Sequence, residues 1–170
     1  LATLGLVLKV YIDDLTQVTR ISQMTQKTNQ FNLTTKRYAE REITALIKEE
    51  GSTVISINVQ DKYGDNGLTG LAILDNTQSM IGTLLLSCRV LGRNIEYQFM
   101  DVIVGIAKRN KLNELSAAYI KTNKNQQVVD FYEKCGFIKL NESDGDSQYS
   151  LQVNSYNNQD IQYIGVKDGR

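Results

Sequence analysis

The sequence predicts an α/β (α+β) fold, in which a mixed, largely antiparallel sheet is flanked by helices. Three consecutive apolar segments are separated only by short turns, which is typical of an antiparallel meander. Apolar residues at helical spacing precede and follow these segments, so helices would cover the sheet. The length of 170 residues suits one domain with a sizeable core.

The first strand and two helices occupy the opening part of the chain. Residues 4–12 are apolar, with β-branched members, and predict a strand. Asp13 or Asp14 can cap the helix that follows and fades near Thr28. A second helix is predicted at residues 38–49 from its helical spacing.

A polar loop at residues 29–37 joins these two helices. Thr34 or Thr35 is expected to cap the second helix, and the alternative is that the loop lines a pocket. Gly51 is expected to end the second helix in the left-handed conformation that glycine tolerates.

The meander begins at residues 53–59, where apolar and polar residues alternate as in a half-buried strand. Further strands are predicted at residues 68–74 and 80–87. The turns between them fall at residues 63–67 and 75–78, which are rich in Gly, Asn and Asp. The first strand would close this sheet.

The second half of the chain alternates helices and strands. The predicted elements are a helix at 95–107, a strand at 115–120, a short helix at 125–134 stopped by Gly136, and strands at 137–140 and 149–153. Residues 1–153 would form one domain. Residues 154–170 would be a polar tail that could add an edge strand.

The charge and cysteine content limit the partners and the compartment. Lys plus Arg and Asp plus Glu each number 19, so no overall field recruits nucleic acid or an anionic membrane. We expect neither as a partner. The chain has two cysteines and no recognisable signal peptide, and no apolar run approaches the ~18 residues of a membrane span. These features predict a cytoplasmic protein with free thiols.

The chain contains no histidine. Histidine is the usual general base near neutral pH and the commonest metal ligand, so Ser-His and Cys-His triads are impossible within this chain. Two scattered cysteines leave no plausible zinc site, and we expect no metal. Proton transfer must therefore use other side chains, water or the ligand.

A short basic loop follows the third strand of the meander and ends where the helix at 95–107 begins. Unpaired N–H groups at a helix start attract anions, and Gly92 lets the backbone approach a ligand. Arg89 and Arg93 add positive charge where a phosphate would lie. Cys88 stands immediately before this loop.

Two motifs resemble the N-acetyltransferase (GNAT) fold. The sequence Arg89-x-x-Gly92-x-Asn94 is similar to the loop that holds the coenzyme A pyrophosphate in that fold, although Asn94 replaces glycine or alanine and could instead cap the helix. Asn125 and the sequence around Tyr132 resemble its late Asn…Tyr…Gly-Phe signature. The resemblance implies that Tyr132 protonates a departing thiolate.

A closer resemblance covers nearly the whole chain. Residues 25–35, 63–68 and 86–93 are similar to three blocks of the C-terminal GNAT-like region of FkbH-like proteins. Their N-terminal part is a haloacid-dehalogenase (HAD)-type phosphatase domain, and since this chain begins with Leu1, we expect it to be part of a longer polypeptide. The family is implied to transfer a glyceryl unit from 1,3-bisphosphoglycerate, through an enzyme thioester, to the phosphopantetheine thiol of an acyl carrier protein in polyketide-type biosynthesis.

Cys88 has two interpretations. It is either a small buried hydrophobe at a strand end, or a nucleophile whose thiolate the nearby arginines favour. The family resemblance favours the nucleophile, and phosphopantetheine or coenzyme A would then bind through Arg89, Gly92, Arg93, Asn94 and Asn125.

Four polar residues are candidates for holding the acyl unit. They lie in the loop between the first two helices and in the first turn of the meander: Asn32, Thr34, Asp65 and Asn66. The alternative is ordinary turn and cap chemistry. Two other functions stay open, an acetyl-CoA-dependent N-acetyltransferase and a non-catalytic docking domain for the carrier protein.

Overall fold

The computed structural model describes residues 5–169. Eight strands form one sheet in the order β6-β7-β5-β4-β3-β2-β1-β8. The strands are β1 (Leu6–Ile12), β2 (Ser52–Asp61), β3 (Gly64–Asp75), β4 (Met80–Leu86), β5 (Glu114–Tyr119), β6 (Ile138–Ser143), β7 (Asp146–Gln152) and β8 (Ile164–Asp168). The helices are α1 (Val18–Lys27), α2 (Glu40–Lys48), α3 (Ile95–Arg109) and α4 (Phe131–Lys134).

The pairing of the strands confirms the predicted mixed, largely antiparallel sheet. β1 to β4 are antiparallel neighbours, as are β5, β7 and β6. Two pairings are parallel, β4 with β5 and β1 with β8. The β8 strand lies in the segment for which a polar tail or an added edge strand was predicted, and it forms one edge of the sheet.

Helices cover both faces of the sheet. α1 and α2 pack on one face through Val18, Ile21 and Ile43, and α3 packs on the other through residues such as Phe99 and Ile103. The first eight residues of β2 are consequently all buried. The half-buried strand predicted there is wrong in this respect, because its polar side chains lie beneath helices and not in solvent.

The first helix begins as predicted and the second does not. Asp14 accepts hydrogen bonds from the backbone N–H and the hydroxyl of Thr16, at 3.0 and 2.7 Å, and starts the turn that leads into α1. α2 begins only at Glu40, where the Glu42 carboxylate accepts from the N–H of Ala39 at 2.9 Å. The predicted caps Thr34 and Thr35 lie too early in the chain to serve.

Two glycines near helix ends differ from each other. Gly136 has φ +92°, and its N–H donates to Glu133 O, so it ends α4 as predicted. Gly51 is not left-handed, and Glu49 ends α2 in an extended conformation. A Cβ at Gly51 would lie 2.8 Å from the Thr77 hydroxyl, so lack of space and not backbone conformation favours glycine there.

Among residues 5–169, no helix is both long and apolar enough to cross a lipid bilayer.

Candidate functional site

The sheet opens between β4 and β5. These parallel strands share a single register pair, Met80 with Ser116, near the start of β4. Beyond it the strands diverge, and the far half of β4 has an edge that β5 does not pair. The loop that carries Cys88 follows this edge directly.

The chain fills this opening with a short segment of the loop between α1 and α2. The Leu33 N–H donates to Leu84 O at 3.1 Å, and the Leu86 N–H donates to Phe31 O at 3.0 Å. On the other side, the N–H of Ile120, which follows β5, donates to Leu33 O at 2.8 Å. The segment therefore acts as an additional short strand between β4 and β5, and we call residues 31–33 the bridging segment.

Asn125 fixes the bridging segment from within the protein. Its amide nitrogen donates to Asn32 O and Ile120 O, both at 2.9 Å. Its amide oxygen accepts from Thr122 N–H at 2.8 Å and from the Tyr119 hydroxyl at 3.1 Å. The side chain is fully buried with its hydrogen-bonding capacity in use, so it is not free for the predicted cofactor contact.

Asn32 and Thr34, predicted to hold the acyl unit, also serve the loop itself. The Asn32 amide nitrogen donates to Thr28 O at 3.2 Å, and its oxygen accepts from the N–H of Thr35 at 2.9 Å. The Thr34 hydroxyl donates to Gly82 O at 3.4 Å. Asn32 is fully buried, so turn chemistry describes this loop better than substrate binding does.

Tyr132, predicted as a catalytic acid, lies in the core. Its ring centroid is 4.9 Å from that of Phe137, 5.5 Å from that of Tyr149 and 5.9 Å from that of Phe131. Only 1% of the residue is exposed, and burial raises the pKa of its hydroxyl far above the ordinary value. A ligand in the open part of the site does not reach it, which favours the packing role.

The loop after β4 forms a short 3-10 turn at Cys88–Val90. The Ser87 hydroxyl accepts from the backbone N–H of Arg89 at 3.4 Å and from its Nε at 3.3 Å. The Arg89 guanidinium also donates to Leu68 O at 3.5 Å. Cys88 is a free, exposed thiol, so the interpretation as a buried hydrophobe is wrong.

The start of α3 differs from an open anion cradle. Gly92 has φ +84° and open space beside its Cα, as predicted for a close backbone approach. Arg93, however, lies 3.7 Å from the Asp61 carboxylate, so its charge is paired. Asn94 is left-handed at φ +64°, and its side chain donates to the Tyr163 hydroxyl at 2.7 Å and makes no helix cap.

These observations test whether coenzyme A fits. A pyrophosphate held by the loop after β4 is joined covalently to a pantetheine arm, whose amides would pair with the adjacent open edge of β4. The bridging segment already pairs with that edge through Leu84 and Leu86. With that edge of β4 occupied and Asn94 bonded to Tyr163, the residues present do not fit coenzyme A in this position, although Arg93 Nη1 is buried without a hydrogen-bond partner.

A groove lies on the other side of this loop, between α1, the start of β3 and the end of β4. It consists of two adjoining cavities of about 530 and 410 Å³, which share Lys27, Thr28, Ser87 and Arg89. The larger cavity reaches Asp65 and Asn66, and the smaller one reaches Cys88. We call the two cavities together the Cys88 groove.

The Cys88 groove brings together four of the predicted site residues, namely Cys88, Arg89, Asp65 and Asn66. Gly92 lines a separate small cavity. Neither part of the groove is lined by the remaining predicted residues, which are Asn32, Thr34, Arg93, Asn94, Asn125 and Tyr132. Sequence reasoning missed Arg20 and Lys27, which line the groove from α1. Their i, i+7 spacing on one face of a helix was the available signal.

Among the described residues, no group of three or more His, Cys, Asp or Glu side chains is placed to hold a metal ion.

The structure resembles several solved structures, among them two N-acetyltransferases. Mutant forms of the spermidine/spermine N-acetyltransferase SpeG from Vibrio cholerae are 13% identical, with a TM-score of 0.63 over 88% of this chain and 95% of that chain. The ribosomal-protein-S18-alanine N-acetyltransferase from Escherichia coli is 11% identical, with a TM-score of 0.65 over 91% of this chain and 98% of that one. A domain from Methanocaldococcus jannaschii is 14% identical, with a TM-score of 0.62 over 85% and 99%.

No family model and no curated protein matches the sequence. At these low identities the likeness concerns architecture alone. The TM-scores of 0.63 and 0.65 over 88% and 91% of this chain lead to one conclusion: the chain has the GNAT-like fold, with a mixed, mostly antiparallel sheet flanked by helices.

Proposed function

We propose that this domain is an acyltransferase that holds an acyl group as a thioester on Cys88 and passes it to the phosphopantetheine thiol of an acyl carrier protein. One observation carries the proposal: Cys88 is an exposed free thiol that lines a groove together with Lys27 and Arg89. The acyl unit is a glyceryl group from 1,3-bisphosphoglycerate, as the resemblance to FkbH-like proteins implies.

The chemistry needs two substitutions at one carbonyl carbon, together with hydrolysis of the donor's second phosphate, at C3, which the proposal assigns to the HAD-type phosphatase domain. In the first, the Cys88 thiolate attacks the acyl carbon, a C–S bond forms, and the bond to the phosphate oxygen breaks. In the second, the carrier thiolate attacks the thioester carbon and the Cys88 thiolate leaves. Neither step requires histidine, and the sequence has none.

The second candidate is an acetyl-CoA-dependent N-acetyltransferase. The fold favours it, since the similar solved structures are N-acetyltransferases. The bridging segment argues against it, because Phe31 and Leu33 occupy the strand edge that a pantetheine arm would use. A carrier thiol that approaches through the Cys88 groove does not meet this obstacle.

Intact-protein mass spectrometry tests the proposal. After incubation with 1,3-bisphosphoglycerate, the wild-type chain should gain one 3-phosphoglyceryl group, which an added HAD-type phosphatase domain should convert to a glyceryl group. A carrier protein with its phosphopantetheine arm should then remove the acyl group. Cys88→Ala should gain none, whereas Cys135→Ala, which removes the buried thiol, should behave like wild type. An adduct on the Cys88→Ala variant would refute the assignment.

Titration calorimetry separates the alternatives. Binding of coenzyme A to the wild-type chain, together with acetylation of an amine, would establish the N-acetyltransferase.

In a third alternative, the domain is a non-catalytic docking platform for the carrier protein. Carrier binding would then depend on Arg89, and Cys88→Ala would leave acyl transfer unaffected. The proposal further expects an upstream HAD-type phosphatase domain as a partner and a cytoplasmic location.

A further inference from the structure

One face of α1 forms a wall of the Cys88 groove. Arg20, Gln23, Met24 and Lys27 all line the larger cavity, at the i, i+3, i+4, i+7 spacing that places residues on one helix face. At about 1.5 Å per residue, the two cations are roughly 10 Å apart along the helix axis. Lys27, at the end of α1, also lines the smaller cavity that contains Cys88.

The charges of the groove are unbalanced. Within residues 5–169, no carboxylate oxygen lies within 4.0 Å of the Arg20, Lys27 or Arg89 side-chain nitrogens. The one acidic residue that lines the groove is Asp65, and its carboxylate lies 3.6 Å from the Lys9 ammonium. Three cations thus face one cavity system without an acidic partner, although the net charge of the chain is zero.

We propose that Arg20, Lys27 and Arg89 form a subsite for the phosphate of an acyl phosphate, whose acyl carbon lies at Cys88. This inference rests on the proposed function and adds the residues that hold the phosphate of its donor. Arg and Lys both bind phosphate oxygens through charge-assisted hydrogen bonds. The negative charge on the phosphate increases when its bond to the acyl carbon breaks, so the same cations stabilise the leaving group.

The first test uses the charge of an alkylating reagent. Iodoacetate is anionic and iodoacetamide is neutral, and both alkylate Cys88, which is the exposed thiol. In water, a unit charge roughly 7 Å from a reacting thiol changes the rate of an anionic reagent about threefold, and a more distant charge changes it less. We therefore expect Lys27→Gln, which alters the cavity that contains Cys88, to lower the iodoacetate-to-iodoacetamide rate ratio up to about threefold. Arg20→Gln should lower the ratio by a smaller factor, and both effects should shrink at high salt.

The controls are Arg41→Gln on α2 and Lys108→Gln on α3, which remove exposed cations outside the groove. They should leave the rate ratio unchanged. An equal fall in all four variants would show a general charge effect and overturn the subsite, as would no fall in any.

The second test uses acetyl phosphate as the smallest stable acyl phosphate, with acetylation of Cys88 followed by mass spectrometry. Because its phosphate is a dianion near neutral pH, each groove variant should raise the half-saturating concentration of acetyl phosphate several-fold, while the two controls match wild type. No acetylation of the wild-type chain would count against the proposed function. Acetylation that is equally efficient in all variants would overturn the subsite alone.

Discussion

Replacing Asn125 by alanine should destabilise this fold strongly, because the side chain joins the bridging segment to residues 119–122 at the end of β5. It makes four hydrogen bonds between 2.8 and 3.1 Å, two as donor and two as acceptor, and is fully buried. Each hydrogen bond contributes about 1 kcal/mol net, and the buried groups that Asn125 now bonds would have no water to replace it. We therefore expect the free energy of unfolding to fall by about 3–5 kcal/mol. That is a large part of the roughly 5–15 kcal/mol that stabilises a typical domain.

Urea unfolding followed by far-UV circular dichroism measures this loss. Asn123→Ala is the matched control, because Asn123 lies in the same loop and is less buried, and its cost should stay within about 0.5 kcal/mol. If Asn125→Ala does not fold, Tyr119→Phe removes one of the four bonds and should cost about 1 kcal/mol. Equal midpoints for the two asparagine variants would refute the reasoning.

Three further predictions concern titratable groups. Burial raises the pKa of the Glu96 carboxyl above its ordinary 4.5, so stability is lost as pH rises from 4.5 through the raised pKa. Urea unfolding should show that Glu96→Gln is more stable than wild type near neutral pH and equally stable well below pH 4.5. Tyr156→Phe removes a buried 2.5 Å hydrogen bond to a carboxylate of α3 and should cost about 1.5–3 kcal/mol in the same assay. Iodoacetamide should alkylate Cys88 in the native protein but Cys135 only in urea, because burial shields the Cys135 thiol and raises its pKa. If mass spectrometry shows that both thiols of the native protein become alkylated, this prediction is contradicted.

The sheet and helices follow from patterns that are local in sequence. The meander of β2, β3 and β4 is visible from alternation and from its turn residues, and α3 is visible from its helical spacing. The complete burial of the first eight residues of β2 is not visible in the sequence, since periodicity does not show that helices cover both faces of the sheet. The start of α2 depends on the Glu42 carboxylate, which accepts from the N–H of Ala39, whereas the sequence favours Thr34 or Thr35 as the cap.

The candidate site was predictable where chemistry and position coincide. Cys88 and Arg89 follow a strand and precede a helix, and such loops lie at the surface. Arg20 and Lys27 line the site only because α1 packs beside that loop, and this tertiary contact is not visible in the sequence. Asn125 matched a motif, but its type and position do not reveal whether its amide faces a ligand or the backbone.

The bridging segment also bears on how this sequence can vary. Loops between helices usually accept insertions and substitutions readily. Here Phe31 and Leu33 pair with β4, and Leu33 also meets the residue after β5, so an added residue would shift both registers at once. We therefore expect the loop between α1 and α2 to keep its length as strictly as a central strand does, and the tip of the β6–β7 hairpin at Asp144 to tolerate insertion far better.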